Sequence, residues 1–100
     1  MSVLESMLEE EQRRSLDMIA ALEDELKAYP KGSLAIKRIG NKDYCYLRYR
    51  EGEKVRLKYI GSAELHADEL GAAIEKRRAC QASIKQAKAD LKLLGRALKE

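Results

Sequence analysis

The feature that most constrains the fold is an uninterrupted pattern of mostly apolar residues near the end of the chain. At steps of three and four positions it comprises Leu70, Ala73, Arg77, Cys80, Ile84, Ala87, Leu91, Leu94 and Leu98. This spacing places the nine side chains on one stripe of an α-helix, as in the seam of a coiled coil. With Ser62 as its N-terminal cap, the pattern predicts one helix over residues 63–99, about 55 Å long at 1.5 Å per residue.

Arg77 is the one charged member of this seam. A charged residue in such a position is typical of a device that sets helix register or oligomeric state. The alternative is an arginine at the seam edge that extends its guanidinium group into water.

The first thirty residues predict a second helix over residues 1–29. Ser2 and Glu5 have the spacing of a capping box, and Pro30 excludes its preceding residue from the helical region. Acidic residues crowd the early turns, as the helix dipole favours. The apolar stripe comprises Leu4, Leu8, Ile19, Leu22, Leu26 and Tyr29, and is interrupted by Gln12 and Ser15.

Between the helices, three runs of β-branched or aromatic residues predict a three-stranded antiparallel meander over residues 33–61. Gly40-Asn41 and Glu51-Gly52 are residues suited to the tight loops between them. The three predicted strands are Leu34–Ile39, Asp43–Arg50 and Lys54–Ile60.

These elements predict an α+β fold: a single domain over residues 1–100 whose helices form an antiparallel, coiled-coil-like hairpin, with Ile19 opposite Cys80. A two-helix hairpin buries little surface by itself. We therefore expect a homodimer in which two hairpins form a four-helix bundle.

Composition excludes several classes of protein. The chain has no apolar run long enough to cross a membrane, so we expect no membrane partner. Its apolar residues recur at helical spacing, which is not typical of a disordered chain. Its acidic start is unlike a secretory signal, and two cysteines are too few for a disulfide scaffold, so we expect a reducing, cytoplasmic environment. The net charge of +3 hides a basic middle, because residues 31–61 hold nine basic and three acidic residues.

A hairpin centred on Gly52 predicts which residues share a face of the sheet. Cys45, Leu47 and Tyr49 would lie with Val55, Leu57 and Tyr59 on an apolar face. The opposite face would carry a candidate nucleic-acid-binding set, in which basic side chains contact phosphates and tyrosines stack on bases. This set comprises Lys37, Tyr44, Tyr46, Arg48, Arg50, Lys54, Arg56 and Lys58. The alternative is an ordinary solvated strand surface, and a register shift of one residue would exchange the faces.

No pattern in the sequence indicates catalysis. His66 has no second histidine or cysteine at ligand spacing, so we expect no metal site and no cofactor. Cys45 and Cys80 lie on different elements without an adjacent base, and both have the character of small apolar residues. We therefore expect a protein that is not an enzyme.

Three segments resemble a pattern found in short uncharacterised prokaryotic proteins: Pro30–Ser33, Tyr44–Val55 and Lys58–Gly61, which read PKGS, YCYLRYREGEKV and KYIG. Cys45 replaces a third aromatic residue of that pattern. The resemblance covers about a third of the chain and implies no activity. A looser resemblance is to the DNA-binding arm domains of tyrosine recombinases, which use a three-stranded meander followed by a helix.

Two functional hypotheses follow. The first is a small protein that binds DNA or RNA through the basic, tyrosine-bearing face of the sheet and dimerises through its helices. The second is a protein-interaction module, either a coiled-coil adaptor or a small inhibitor of the phage or plasmid type, that does not bind nucleic acid.

Overall fold

The computed structural model describes residues 2–99 and has the predicted α+β architecture. Two helices flank, in sequence, a sheet of three antiparallel strands in the order β1-β2-β3. The elements are α1 (Val3–Leu26), β1 (Ser33–Ile39), β2 (Lys42–Glu51), β3 (Lys54–Ser62) and α2 (Ala63–Lys99). No helix within residues 2–99 is both long and apolar enough to cross a membrane.

Serine side chains begin both helices, as predicted. The Ser2 hydroxyl accepts a hydrogen bond from the Glu5 backbone N–H at 3.1 Å. The Ser62 hydroxyl accepts one from the Leu65 N–H at 3.3 Å. Each bond satisfies a backbone donor that the first helical turn leaves without a partner.

α1 ends at Leu26, three residues before the predicted end. The N–H of Lys27 donates to the Asp24 carbonyl at 3.3 Å, and that of Ala28 donates to the Glu25 carbonyl at 3.0 Å. These bonds between residues three apart tighten the chain into a turn ahead of Pro30. The helix therefore ends before Pro30, as predicted, but its regular hydrogen bonding stops at Leu26, about one turn before the proline.

The chain contains two compact units, and α2 contributes to both. The first unit comprises the described parts of Met1–Ala28 and Ala79–Glu100. In it the Cys80 thiol donates to the Leu22 carbonyl at 3.2 Å, and the Lys88 ammonium lies 3.8 Å from the Glu23 carboxylate. The helices contact each other as predicted, and Cys80 lies against Leu22, three positions along α1 from its predicted neighbour Ile19, which is also buried.

The apolar stripe of α1 differs from the prediction at two positions. Leu4 is 66% exposed and takes no part in the core. Ser15, which interrupts the sequence pattern, is only 8% exposed. A small polar side chain therefore occupies a buried position at which the apolar stripe of the sequence is interrupted. The buried residues of this unit are Ser15, Ile19, Cys80, Ile84 and Ala87.

The second unit comprises Tyr29–Arg78 and contains the sheet and the start of α2. Leu70 is buried there, and Ala73 and Arg77 are half-buried, so the predicted seam residues of this unit avoid solvent. Ile74, outside the predicted seam, is also buried. Nη1 of Arg77 donates to the Tyr29 carbonyl at 2.8 Å. The charged seam residue thus has a backbone acceptor at the segment that leads into β1.

Candidate nucleic-acid interface

The turn between β2 and β3 decides which side chains share a face of the sheet. The two strands pair directly through Glu51 and Lys54, so the loop consists of Gly52 and Glu53 alone. Gly52 has a φ of 62°, and no non-glycine residue of the described chain has a positive φ. This matches the type II′ turn, which needs a positive φ only at its first central residue.

A two-residue loop makes odd-numbered residues of β2 pair with even-numbered residues of β3. Tyr49 lies opposite Arg56, and Arg50 lies opposite Val55. Directly opposed residues of an antiparallel pair project from the same face. The predicted faces are therefore wrong for β3, because a hairpin centred on Gly52 would require a three-residue loop.

The predicted binding set is consequently divided between the two faces. Five of its members share one face, and the three from β3 (Lys54, Arg56 and Lys58) lie on the other. The first, here called the tyrosine face, comprises Ser33, Ala35, Lys37, Ile39, Lys42, Tyr44, Tyr46, Arg48, Arg50, Val55, Leu57 and Tyr59. The second, here called the cysteine face, comprises Leu34, Ile36, Arg38, Asp43, Cys45, Leu47, Tyr49, Glu51, Lys54, Arg56 and Lys58.

A bulge changes the pairing near the end of β3. Tyr46 pairs with Tyr59, whereas its neighbour Cys45 pairs with Gly61, so Ile60 is an additional residue in β3. Bulges of this kind bend the strand and redirect its side chains. Tyr59 therefore lies at the last regular position of the tyrosine face before the chain turns toward α2.

Three tyrosines cluster on the tyrosine face. The ring centroids of Tyr46 and Tyr59 are 5.5 Å apart with an interplanar angle of 60°, and those of Tyr44 and Tyr59 are 6.2 Å apart at 50°. The Lys37 ammonium lies 5.4 Å from the Tyr46 ring centroid, a distance suited to a cation–π interaction. Tyr44 and Tyr46 are half-buried, whereas Tyr59 is 58% exposed.

Lys42 and three residues of β3 are functional candidates on this surface that sequence reasoning missed. The hairpin centred on Gly52 predicts Val55, Leu57 and Tyr59 on the other face, and Lys42 lies outside the predicted strands. The signal that identifies Tyr59 is the length of the turn, since any two-residue loop puts Tyr59 on the same face as the even-numbered residues of β2.

The two faces also differ in their acidic residues. The tyrosine face carries Lys37, Lys42, Arg48 and Arg50 and no carboxylate, and none of these cations is in an ion pair within residues 2–99. On the cysteine face, Nε of Arg56 lies 2.8 Å from the Glu51 carboxylate. Nη1 of Arg38 lies 3.7 Å from the Asp43 carboxylate on the same face.

Each face of the sheet has one buried residue. Cys45 is 0% exposed on the cysteine face, where Leu34, Leu47 and Tyr49 are half-buried, and Ala35 is 7% exposed on the tyrosine face. The backbone of Gly32, just before β1, approaches the carbonyl of Arg48 so closely that a side chain would overlap it. Gly32 also has a φ of 142°, which L side chains rarely adopt.

The described chain offers no assembled metal centre. Among residues 2–99 no three His, Cys, Asp or Glu side chains lie together in a way that could hold a metal ion. Cys45 and Cys80 are separate buried thiols. The basic and aromatic surface is thus the arrangement with the clearest binding chemistry.

Comparison with known proteins gives a family but no activity. A family model described as a domain of unknown function, DUF6788, matches residues 5–72. The chain belongs to this family. The match includes the whole three-stranded sheet and therefore both of its faces. Neither a curated protein nor a solved structure matches the chain significantly.

Proposed function

We propose that this DUF6788 protein binds nucleic acid, without catalysing a reaction, through the tyrosine face of its sheet. The observation that carries the proposal is the composition of that face, where four cations and three clustered tyrosines share one surface with no carboxylate. The DNA-binding arm domains of tyrosine recombinases also have a three-stranded meander followed by a helix. That likeness is an analogy and carries less weight than the surface itself.

Electrostatics favour a polyanionic ligand. Lysine and arginine that neutralise phosphates release condensed counterions, which makes binding strongly dependent on salt. A cation already paired with a carboxylate contributes less, because a phosphate must compete for it. The unpaired Arg48 and Arg50 therefore suit phosphate contacts better than Arg56, which Glu51 holds at 2.8 Å.

The tyrosines add a contact that phosphate binding does not need. An aromatic ring can stack on any base, and its hydroxyl can donate to a phosphate oxygen. Tyr59 has the most accessible ring of the cluster. Charge and exposed aromatic rings on one surface together favour a nucleic-acid site over an ordinary solvated strand.

The test is a fluorescence-polarisation titration of DNA and RNA oligonucleotides at 50 and 200 mM salt. If the four cations contact four phosphates, affinity falls about 50- to 150-fold between these salt concentrations. The variant Arg48→Glu/Arg50→Glu reverses two charges on the tyrosine face and should abolish binding.

The matched control is Lys54→Glu/Lys58→Glu, which reverses two charges on the cysteine face of the same sheet. It should weaken binding far less, through the change in overall charge alone. Equal losses from the two double variants, or no binding by the unmodified protein at 50 mM salt, contradict the proposal.

A protein-interaction role is the second candidate, and exposed apolar residues at the start of α1 favour it. Val3 is 78% exposed, Leu4 66% and Met7 61%. Among the described residues of the first unit five are buried, and none of these is aromatic. A helix of a partner protein that covers the exposed side chains would enlarge the core of this unit. The interaction role, as a coiled-coil adaptor or a small inhibitor, predicts a partner protein recovered by pull-down and no oligonucleotide binding at 50 mM salt. Oligonucleotide binding contradicts it.

A further inference from the structure

We infer that the ligand of the tyrosine face is single-stranded nucleic acid, whose unpaired bases stack against β3 and above all on Tyr59. The inference rests on the proposed function, because it names the class of nucleic acid that this face binds. Its support is that β3 carries only uncharged side chains on this face, whereas every cation of the face lies on β1 or β2.

The part of the tyrosine face on β3 is an exposed row without charge. Val55 and Tyr59 are each 58% exposed, and Leu57 is 40% exposed. The part of a nucleic acid that can pack against such a row is the flat, apolar face of a base. In a duplex these faces are stacked against one another, whereas a single strand can present them to the protein.

The cations of the same face all lie on β1 and β2. Lys37 is on β1, and Lys42, Arg48 and Arg50 are on β2. Neighbouring strands are about 4.8 Å apart, and Arg50 and Arg48 lie directly opposite Val55 and Leu57. Positive charge therefore borders this part of the apolar row, whereas Tyr46 lies opposite Tyr59. A single strand whose phosphates follow β2 can place its bases over β3. A duplex backbone in the same position would put phosphates or sugars against Val55 and Leu57, which offer them no hydrogen bond.

The tyrosine cluster prepares a surface for stacking. Tyr59 meets Tyr44 and Tyr46 at interplanar angles of 50° and 60°, so neither contact is a parallel stack. These contacts support the Tyr59 ring, while more than half of its surface remains accessible to a base. A ring that is held in place loses less conformational entropy when a ligand binds.

The test compares one 12-nucleotide sequence in three forms: single-stranded DNA, the DNA duplex with its complement, and single-stranded RNA. Each is titrated into the protein, Tyr59→Ala and Tyr59→Phe at 50 mM salt. We expect both single strands to bind more tightly than the duplex. Tyr59→Ala should weaken single-strand binding about 5- to 150-fold, the range for loss of one stacked base.

Tyr59→Phe keeps the aromatic ring and serves as the control. It should retain single-strand affinity within about threefold, and neither variant should change duplex affinity by more than about twofold, since phosphate contacts are untouched. The relative affinity of the DNA and RNA strands then shows which sugar the site prefers. The chain has no tryptophan, so quenching of tyrosine emission on binding gives an independent signature of stacking.

The possible results separate this inference from the function on which it rests. Duplex binding as tight as single-strand binding, or a Tyr59→Ala variant with unchanged single-strand affinity, overturns the single-strand inference and leaves nucleic-acid binding in place. If none of the three oligonucleotides binds at 50 mM salt, both are overturned. Circular dichroism of each variant establishes that a loss of affinity is not a loss of fold.

Discussion

The two faces of the sheet carry the same number of basic residues but differ in what surrounds them. Four cations lie on each face. On the cysteine face, Glu51 and Asp43 pair with two of them, and Cys45 is fully buried. On the tyrosine face the cations have no carboxylate beside them and border three tyrosines. The net charge of a strand segment is therefore a weaker guide to a binding surface than the strand register, which determines the face on which each charged side chain lies.

The largest expected contrast between the faces is in stability. Cys45→Asp places a carboxylate at a position that is 0% exposed, and an uncompensated buried charge should cost about 3–5 kcal/mol. Tyr59→Asp on the exposed side should change the free energy of unfolding by about 1 kcal/mol or less. Urea denaturation followed by circular dichroism measures both. Similar losses would show that the tyrosine face is covered as well.

A smaller contrast is expected in the salt dependence of binding. Arg48→Ala should reduce the slope of log affinity against log salt by about 0.7–0.9, the amount for one lost phosphate contact. Arg56→Ala should leave the slope nearly unchanged, because Glu51 already holds that guanidinium group. Titrations at four or more salt concentrations measure the slopes. A larger reduction for Arg56→Ala would assign the phosphate contacts to the cysteine face.

The sequence was sufficient to predict the order of the elements. The stripe that ends at Leu98, the proline at position 30 and the glycines at 40 and 52 each act locally, through helix period, backbone restriction or turn preference. The detailed contacts between the helices were less predictable. Apolar spacing alone does not specify that the Cys80 thiol donates to the Leu22 carbonyl, because such contacts depend on how side chains interlock.

The candidate site shows how one local choice changes a whole surface. Shifting the loop from three residues to Gly52-Glu53 alone moves every side chain of β3 to the other face. The additional residue at Ile60 is a further irregularity that no sequence pattern indicated. Lys37, Tyr44, Tyr46, Arg48 and Arg50 do share one face, because alternation along β2 and the two-residue loop Gly40-Asn41 between β1 and β2 place them together.

The most direct test of the account is photo-crosslinking to a single strand that contains 5-iodouracil, with the modified residue identified by mass spectrometry. The chain has five tyrosines and no other aromatic residue except His66, so the adducts report which face the bases contact. We predict adducts at Tyr59, with Tyr44 and Tyr46 as secondary sites. Adducts mainly at Tyr49, on the cysteine face, or at Tyr29, outside the sheet, would contradict the assignment of the tyrosine face as the binding surface.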